Sequence, residues 1–270
     1  MQVTVLIRGA GDIASGIALR LYRSGMRVIM TEIEKPTTIR RSVAFSEAVL
    51  NKRQTVEGVT AERADSPEEA ESLMERGIIP VLVDPQCLCR VSLLPDVLVD
   101  AILAKRNLGT SLTDAPVVIG VGPGFTAGKD CHAVVETMRG HTLGRAYYEG
   151  SALPNTNIPG LIGGYAGERV IRAPRDGIFH STHEIGDPVG ESETVGFVEG
   201  EPVKTTISGV LRGLLADGIS VTKGMKSGDV DPRGKREYCD LVSDKALSVA
   251  GGVLEAILHY CADLQSKSSA

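Results

Sequence analysis

VTVLIRGAGDIASGIALRLYRSGMRVIMTE, residues 3–32, opens on an apolar run, Val3–Ile7, that breaks at once into Gly9-Ala10-Gly11-Asp12. Such a run, rich in β-branched residues and ended by glycines, reads as a buried parallel strand entering a tight turn. A helix follows: Ile13, Ile17 and Leu21 recur on one face, Ala14 and Ala18 lie beside them, and Gly25 supplies a stop. Val28–Met30 then read as a second buried strand, which closes a βαβ unit of about 30 residues.

Within that unit Gly9, Gly11 and Ala14 match the dinucleotide fingerprint G-x-G-x-x-G/A. Gly9 permits the turn and Gly11 lets backbone approach a pyrophosphate. Small Ala14 allows close helix–strand packing, and the amides of Asp12 and Ile13 face the anion. Glu32 falls where an acid meets an adenosine ribose, which favours NAD over a 2′-phosphorylated relative. Lys35, Arg40 and Arg41 lie close enough to weaken that preference. The expected ligand is NAD or another dinucleotide. A scaffold whose turn is empty, or holds another phosphorylated ligand, is the alternative.

A chain of 270 residues holds two domains, or one with a large appendage. Its formal charge of −5 argues against a general nucleic-acid binder, which needs clustered Lys and Arg. Five cysteines, with no C-x-x-C pair, suit a reducing cytoplasm better than a disulfide framework. The first apolar run lacks a basic leader, and no segment approaches the roughly 18 apolar residues of a membrane span. The expectation is a soluble, cytoplasmic protein with neither membrane nor nucleic acid as partner.

Further along, residues 36–53 read as a helix beside the nucleotide edge, with Arg40, Arg41 and Ser42 available to an anionic substrate. QTVEGVTAERA, residues 54–64, reads as a hairpin turning at Glu57-Gly58, and Ser66-Pro67-Glu68-Glu69 starts a helix. Ile78–Val83, Asp96–Ile102 and Pro116–Val121 supply three more strands. Strands alternating with helical segments imply a doubly wound sheet, whose ligand crevice lies beyond the strands' carboxyl ends. Asp84 and Asp100 would gather there; Asp100 is either a polar group in the crevice or a carboxylate accepting backbone hydrogen bonds. Cys87 and Cys89, in the loop after the third strand, are either inert buried thiols or a pair for soft-metal, redox, sulfur or selenium chemistry. In VIGVGPGFTAGKDCHAV, residues 118–134, Gly120, Gly122, Gly124 and Gly128 ahead of a helix could form an anion nest, with Thr126 and Lys129 adding a hydroxyl and a charge. Pro123 and Asp130 replace two parts of a P-loop, so ATP chemistry is not expected.

Residues 151–168 contain two prolines and four glycines and read as a linker or long functional loop, with a boundary near 166. Beyond it the runs are short and β-like. APRDGIFHSTHEIGDPVGE (173–191) is echoed by ISGVLRGLLADGISVTKGMKSGDVD (207–231), a similarity of halves that resembles the biotinyl/lipoyl barrel-sandwich. Lys204 does not sit in a carrier hairpin, so covalent biotin or lipoate is not expected. His180, His183 and Glu184 lack a further metal ligand, and no metal is expected. From Ser243 a broad apolar face, Ala246 to Leu258, marks a last helix, with Gly251-Gly252 permitting close approach and a fraying tail after Leu264. The expected fold is α/β: a Rossmann-like doubly wound parallel sheet over 1–165, a β-rich barrel-sandwich (biotinyl/lipoyl-like) module over 166–242, and a helix over 243–264 that packs on the first domain or at a homo-oligomer interface.

GAGDIASGIALRLYRSGMRVIMTEIEKPTTIRRSVAFSEAV, GVGPGFTAGKDCHAVVET and APRDGIFHSTHEIGDPVG together resemble the YqeB-type proteins of the selenium-dependent molybdenum hydroxylase system, nearly end to end. That resemblance implies an accessory, maturation role for hydroxylases of the xanthine dehydrogenase type. The partner is then the hydroxylase apo-enzyme, and the ligand a nucleotide or the pterin molybdenum cofactor. The resemblance supplies no catalytic residues. Three functions stay open: a maturation factor holding cofactor or nucleotide on the amides of Gly11–Ile13 and Gly122–Gly128; an NAD(P)-dependent oxidoreductase acting on sulfur or selenium through Cys87 or Cys89; and a non-catalytic docking scaffold.

Overall fold

A computed structural model describes residues 3–156 and 159–267, the last seven as backbone only. The chain forms two compact units: residues 1–34, 45–156 and 242–270 make the first, and residues 35–44 and 157–241 the second.

The first unit is built on one nine-stranded sheet. Its elements are β1 (Thr4–Arg8), α1 (Asp12–Arg23), β2 (Arg27–Glu32), α2 (Glu47–Asn51), β3 (Arg53–Val56), β4 (Val59–Ala64), α3 (Pro67–Glu75), β5 (Ile79–Val83), α4 (Arg90–Leu93), β6 (Val97–Asp100), β7 (Val117–Val121), β8 (Ala133–Val135), β9 (Ala146–Tyr147) and the terminal α5 (Asp244–Lys267). The strand order is β3-β4-β5-β2-β1-β6-β7-β8-β9. Strands β4 to β8 run parallel across that order, while β3 and β9 pair antiparallel at the two edges. β1 lies in the middle with Val5, Leu6 and Ile7 fully buried, as its continuous apolar run requires.

Several local readings follow from turn chemistry. Glu57 and Gly58 both have positive φ, 45° and 81°, the two-residue turn whose twist suits the β3–β4 hairpin. Ser66 caps α3, its hydroxyl accepting from the Glu69 amide at 3.2 Å, with Pro67 at the first helical position. α5 packs along α1, where a Cβ on Gly16 would come within 2.7 Å of the Ala246 Cβ. Glu136 is fully buried, and its carboxylate accepts from the amides of Thr137, Met138 and Leu153 at 2.7–2.8 Å, tying the loops around β8 and β9.

The second unit holds two four-stranded antiparallel sheets made from β10 (Val170–Arg172), β11 (Gly177–Ser181), β12 (Pro188–Val189), β13 (Thr194–Val198), β14 (Glu201–Lys204), β15 (Gly209–Leu214), β16 (Ile219–Val221) and β17 (Lys226–Asp231). The orders are β10-β17-β15-β12 and β14-β13-β11-β16. They share a core of Phe179, Val195, Val198, Leu211, Leu214 and Val230. A buried ionic cluster fixes the register of β15 on β17: Asp229 accepts from Arg169 and Arg212, and Asp231 from Arg212 and Arg233. Opposite charges this deep must be paired, because a lone one would carry the whole desolvation cost.

These sheets correct the expected fold class. The first sheet is mixed, and its winding does not alternate with helices: the β5–β6 connection has only the four-residue α4, and no helix joins β6 to β7 or β7 to β8 among the described residues. The polar, glycine-bearing stretch 101–116 and left-handed Leu103 and Lys105 keep the β6–β7 connection a loop. In the second unit each half of the internal echo sends strands into both antiparallel sheets, β11 and β12 from the first half and β15, β16 and β17 from the second, and no biotinyl/lipoyl barrel-sandwich is evident among the described residues. Nor is 36–53 one helix. A single 3-10 turn, Arg41–Val43, and α2 interrupt irregular chain, because side chains there bond to carbonyls of the second unit: Arg40 to Tyr238 and Leu241, Arg41 to Leu214, Ser42 to Cys239. The helix expected after the second glycine-rich turn is also replaced, by β8. Residues 157 and 158 of the expected linker, and the tail's side chains beyond Leu264, lie outside the described residues. No described helix is long and apolar enough to cross a membrane.

In α5 the adjacent glycines face different surroundings. Gly251 has nothing within 4 Å of a built Cβ, whereas the Gly252 Cβ would strike the Gly144 carbonyl. Gly251→Ala is expected to raise stability by up to about 1 kcal/mol through helix propensity. Gly252→Ala is expected to lower it by roughly 1–3 kcal/mol through overpacking. Urea midpoints of the two variants check the pair.

Candidate functional site: a dithiol pocket at the carboxyl edge of the sheet

Beyond the carboxyl ends of β1, β5 and β6 the first unit forms a cavity of about 290 Å³ lined by Arg8, Gln86, Cys87, Arg90, Thr110 and Asp114, among others. Arg8 ends β1 and is 7% exposed. Its Nη1 donates to Asp100 (3.3 Å) and Thr110 (3.0 Å), and its Nη2 to the Pro85 carbonyl (3.1 Å); both reach the Leu108 carbonyl at 3.3 Å. Asp100, at the end of β6, also accepts from the Thr110 hydroxyl at 2.6 Å. One guanidinium thereby ties the loop after β5 to the loop after β6. Arg90 extends the array, donating to Asp114 at 3.0 Å and to the Cys87 carbonyl at 2.9 Å.

Asp84 follows β5 and folds the cysteine loop. Its backbone carbonyl accepts from the Cys87 amide at 3.0 Å, and its carboxylate from the Cys89 amide at 2.8 Å. Burial pushes the Asp84 carboxyl up, but hydrogen bonds from the Cys89 and Leu88 amides and the Cys89 thiol more than offset it, so it lies below the ordinary carboxylate value. Cys87 adopts a left-handed backbone, φ 56°, which is strained for a side-chain-bearing residue.

The two thiols are inequivalent. Cys89 is the main influence holding the Cys87 thiol below its ordinary value, with Thr31 and, least, the Arg8 charge assisting; burial and the Asp84 charge oppose it. The Thr31 hydroxyl is buried with no hydrogen-bond partner. Cys89 is pushed strongly up, first by that same bond to Cys87, then by burial and by Asp84. The two thiols are thus shifted in opposite directions, Cys87 down and Cys89 up. Burial pushes Cys131 up to about 11 and raises Cys239 as well, so among the described residues Cys87 is the cysteine poised as a thiolate.

The residues singled out by the glycine motifs lie elsewhere on the same sheet edge. Gly9, φ 102°, follows β1, and a Cβ there would meet the Ala101 carbonyl at 3.1 Å. Gly11 is the extended N-cap of α1; Asp12, Ile13 and Ala14 form its first turn, with Ala14 buried. Glu32 accepts from the Ala10 amide at 2.9 Å and the Ile33 amide at 2.8 Å. Burial raises its pKa against those two bonds. Gly122 packs against Thr137, its built Cβ 2.8 Å from the hydroxyl, and Gly124 packs on the Arg106 backbone. The Thr126 hydroxyl bonds Ser151 at 2.9 Å, and Lys129 is exposed. The loop 101–106 touches Gly9 at one end and Gly124 at the other, so packing inside the chain already requires glycine at both turns. In the second unit His180 pairs with Asp217 and His183 with Glu193. No group of three or more metal-ligating side chains occurs among the described residues.

Sequence reasoning found Cys87, Cys89, Asp84 and Asp100 but missed Arg8, Thr31, Arg90 and Thr110. The available signal was Arg8 itself, a charge closing an otherwise apolar central strand.

Fold and site define a two-unit protein whose large mixed sheet carries a buried dithiol pocket at its carboxyl edge. Over 254 residues the chain is 56% identical to the uncharacterized protein YqeB of Escherichia coli (strain K12), a match spanning 94% of this chain and 47% of that protein. The chain belongs to the YqeB-type family, and it spans about half the length of the curated relative it matches. No family model matches it. Among solved structures it is similar to a succinylglutamate desuccinylase/aspartoacylase from Rhodobacter sphaeroides (16% identity, TM-score 0.27, 85% of each chain) and an aspartoacylase family protein from Mesorhizobium loti (11%, TM-score 0.25, 85% of this chain and 84% of that one). Neither likeness carries a residue of the pocket.

The inequivalence of the thiols has a kinetic signature. Alkylation of Cys87 by iodoacetamide is expected to reach half its maximal rate below pH ~8.5, the ordinary thiol value. Cys89→Ala, which removes the main donor to that sulfur, is expected to move the midpoint upward. Peptide-mapped alkylation across pH reads both.

Proposed function

We propose that this protein is an accessory factor for selenium-dependent molybdenum hydroxylases and that it works by thiol chemistry on a sulfur or selenium species, with Cys87 as nucleophile. The observation that carries this reading is the Cys87 thiol on the wall of a cavity that Arg8 also lines, its pKa shifted down while that of its neighbour Cys89 is shifted up. A nucleophile needs a lowered pKa and an open approach. Cys87 combines both, and its side chain is otherwise shielded from bulk water. The hydroxylase as partner is what the sequence resemblance to the selenium-dependent molybdenum hydroxylase system implies, and the pocket supports a small substrate.

The roles then divide by chemistry. Cys87 attacks, Thr31 and Arg8 stabilise its charge, and Asp84 holds the loop that presents it. Arg90, bonded to the Cys87 carbonyl, keeps the strained turn in place.

Hydroxylase maturation in a host deleted for the family member tests the reading. Restoring this chain should restore the selenium content and activity of the hydroxylase, and Cys87→Ser should reduce both to the level of the deletion. Full maturation with Cys87→Ser in a folded protein would contradict the proposal.

A further inference from the structure

Cys89 stands where the nucleophile's chemistry can be completed. It forms none of the cavity wall, yet it lies two residues from Cys87, which does, and both are free, buried thiols. Two residues of chain span at most about 7 Å. That upper limit already lies close to the Cα separations of about 4.4–6.8 Å that a disulfide bridges. The Asp84 carboxylate holds the Cys89 amide, which fixes the second thiol behind the first.

We propose that Cys87 and Cys89 form a reversible dithiol/disulfide couple that reduces the sulfur–sulfur or sulfur–selenium bond of a small substrate, with Cys89 as the resolving residue. This rests on the thiol function proposed above and adds the substrate class and the second catalytic residue.

The electrons balance in two displacements. In the first, the Cys87 thiolate attacks a substrate sulfur. A Cys87–sulfur bond forms, the substrate's S–S or S–Se bond breaks, and its electron pair leaves on a thiolate or selenolate. In the second, Cys89 gives its proton to a departing thiolate and its sulfur attacks the Cys87 sulfur. The mixed disulfide breaks, the second thiolate leaves and a Cys87–Cys89 disulfide forms. The substrate has gained two electrons and the pair has lost two; a thiol or dithiol reductant returns them. The approach is asymmetric because only Cys87 lines the cavity, so a substrate meets the thiolate first.

Glutathione disulfide and bis(glutathionyl) selenide are suitable probes for the full chain, followed by trapping of remaining thiols and peptide-mapped mass spectrometry. Wild type should lose both thiols and carry no adduct, its mass lower by two hydrogens in the peptide that holds Cys87 and Cys89. Cys89→Ser should retain a glutathione adduct on Cys87, and Cys87→Ser should form neither product in that peptide. A stable adduct on wild-type Cys87, equal to that of Cys89→Ser, would overturn the couple while leaving Cys87 as nucleophile and the maturation assay untouched. No reaction at Cys87 in folded wild type with either probe would also overturn it. Circular dichroism of each variant separates loss of reactivity from loss of fold.

Discussion

The carboxyl edge of the large sheet depends on one buried guanidinium. Arg8 sits at the end of the central strand, where a charge is costly unless every direction is answered. A carboxylate, a hydroxyl and two backbone carbonyls from the end of β6 and the loops after β5 and β6 answer its two terminal nitrogens, while the buried Nε has no partner. Removing one member of a buried charge pair usually costs about 3–5 kcal/mol, because the other is left uncompensated. The same cation that organises these loops lowers the Cys87 thiol, so the fold's pin and the site's electrostatics are one group.

That arrangement explains how one buried thiol is shifted down rather than up. Burial alone raises a thiol pKa, as it does at Cys131 and Cys239. At Cys87 a sulfur–hydrogen donor, a hydroxyl and a guanidinium oppose burial and prevail. The same bond has opposite effects on its two ends: it stabilises the charge on Cys87 and makes the proton on Cys89 harder to remove. A pair two residues apart thus becomes a nucleophile with a protonated companion, rather than two equal thiols.

Much of the first sheet was legible because its strands are short β-branched runs bounded by glycine or proline, and the β3–β4 hairpin and α3 carry their own turn and cap chemistry. The winding was not legible. The alternation of strands with helices expected from the pattern fails between β5 and β8, where polar and glycine residues make loops and β8 replaces the helix expected after the second glycine-rich turn, and residues 36–53 bend because Arg40, Arg41 and Ser42 answer carbonyls more than 170 positions away. The second unit's echo was real in sequence, but buried pairing of Arg212 with Asp229 and Asp231 sets strand partners that no local pattern encodes. At the site, the spacing of Cys87 and Cys89 was visible and the environment that distinguishes them was not, because Thr31 and Arg8 come from other strands. Gly9 and Gly124 are required by contact with the loop 101–106, so their spacing weighs less as a ligand signal than it does in the sequence alone.

The central claim concerns where one proton resides, and a pH titration of cysteine Cβ carbon shifts in protein labelled at that carbon reads it residue by residue. The account predicts that Cys87 ionises below the ordinary thiol range and that Cys89 remains protonated through and above it. Parallel titration of both residues at an ordinary thiol value would contradict it.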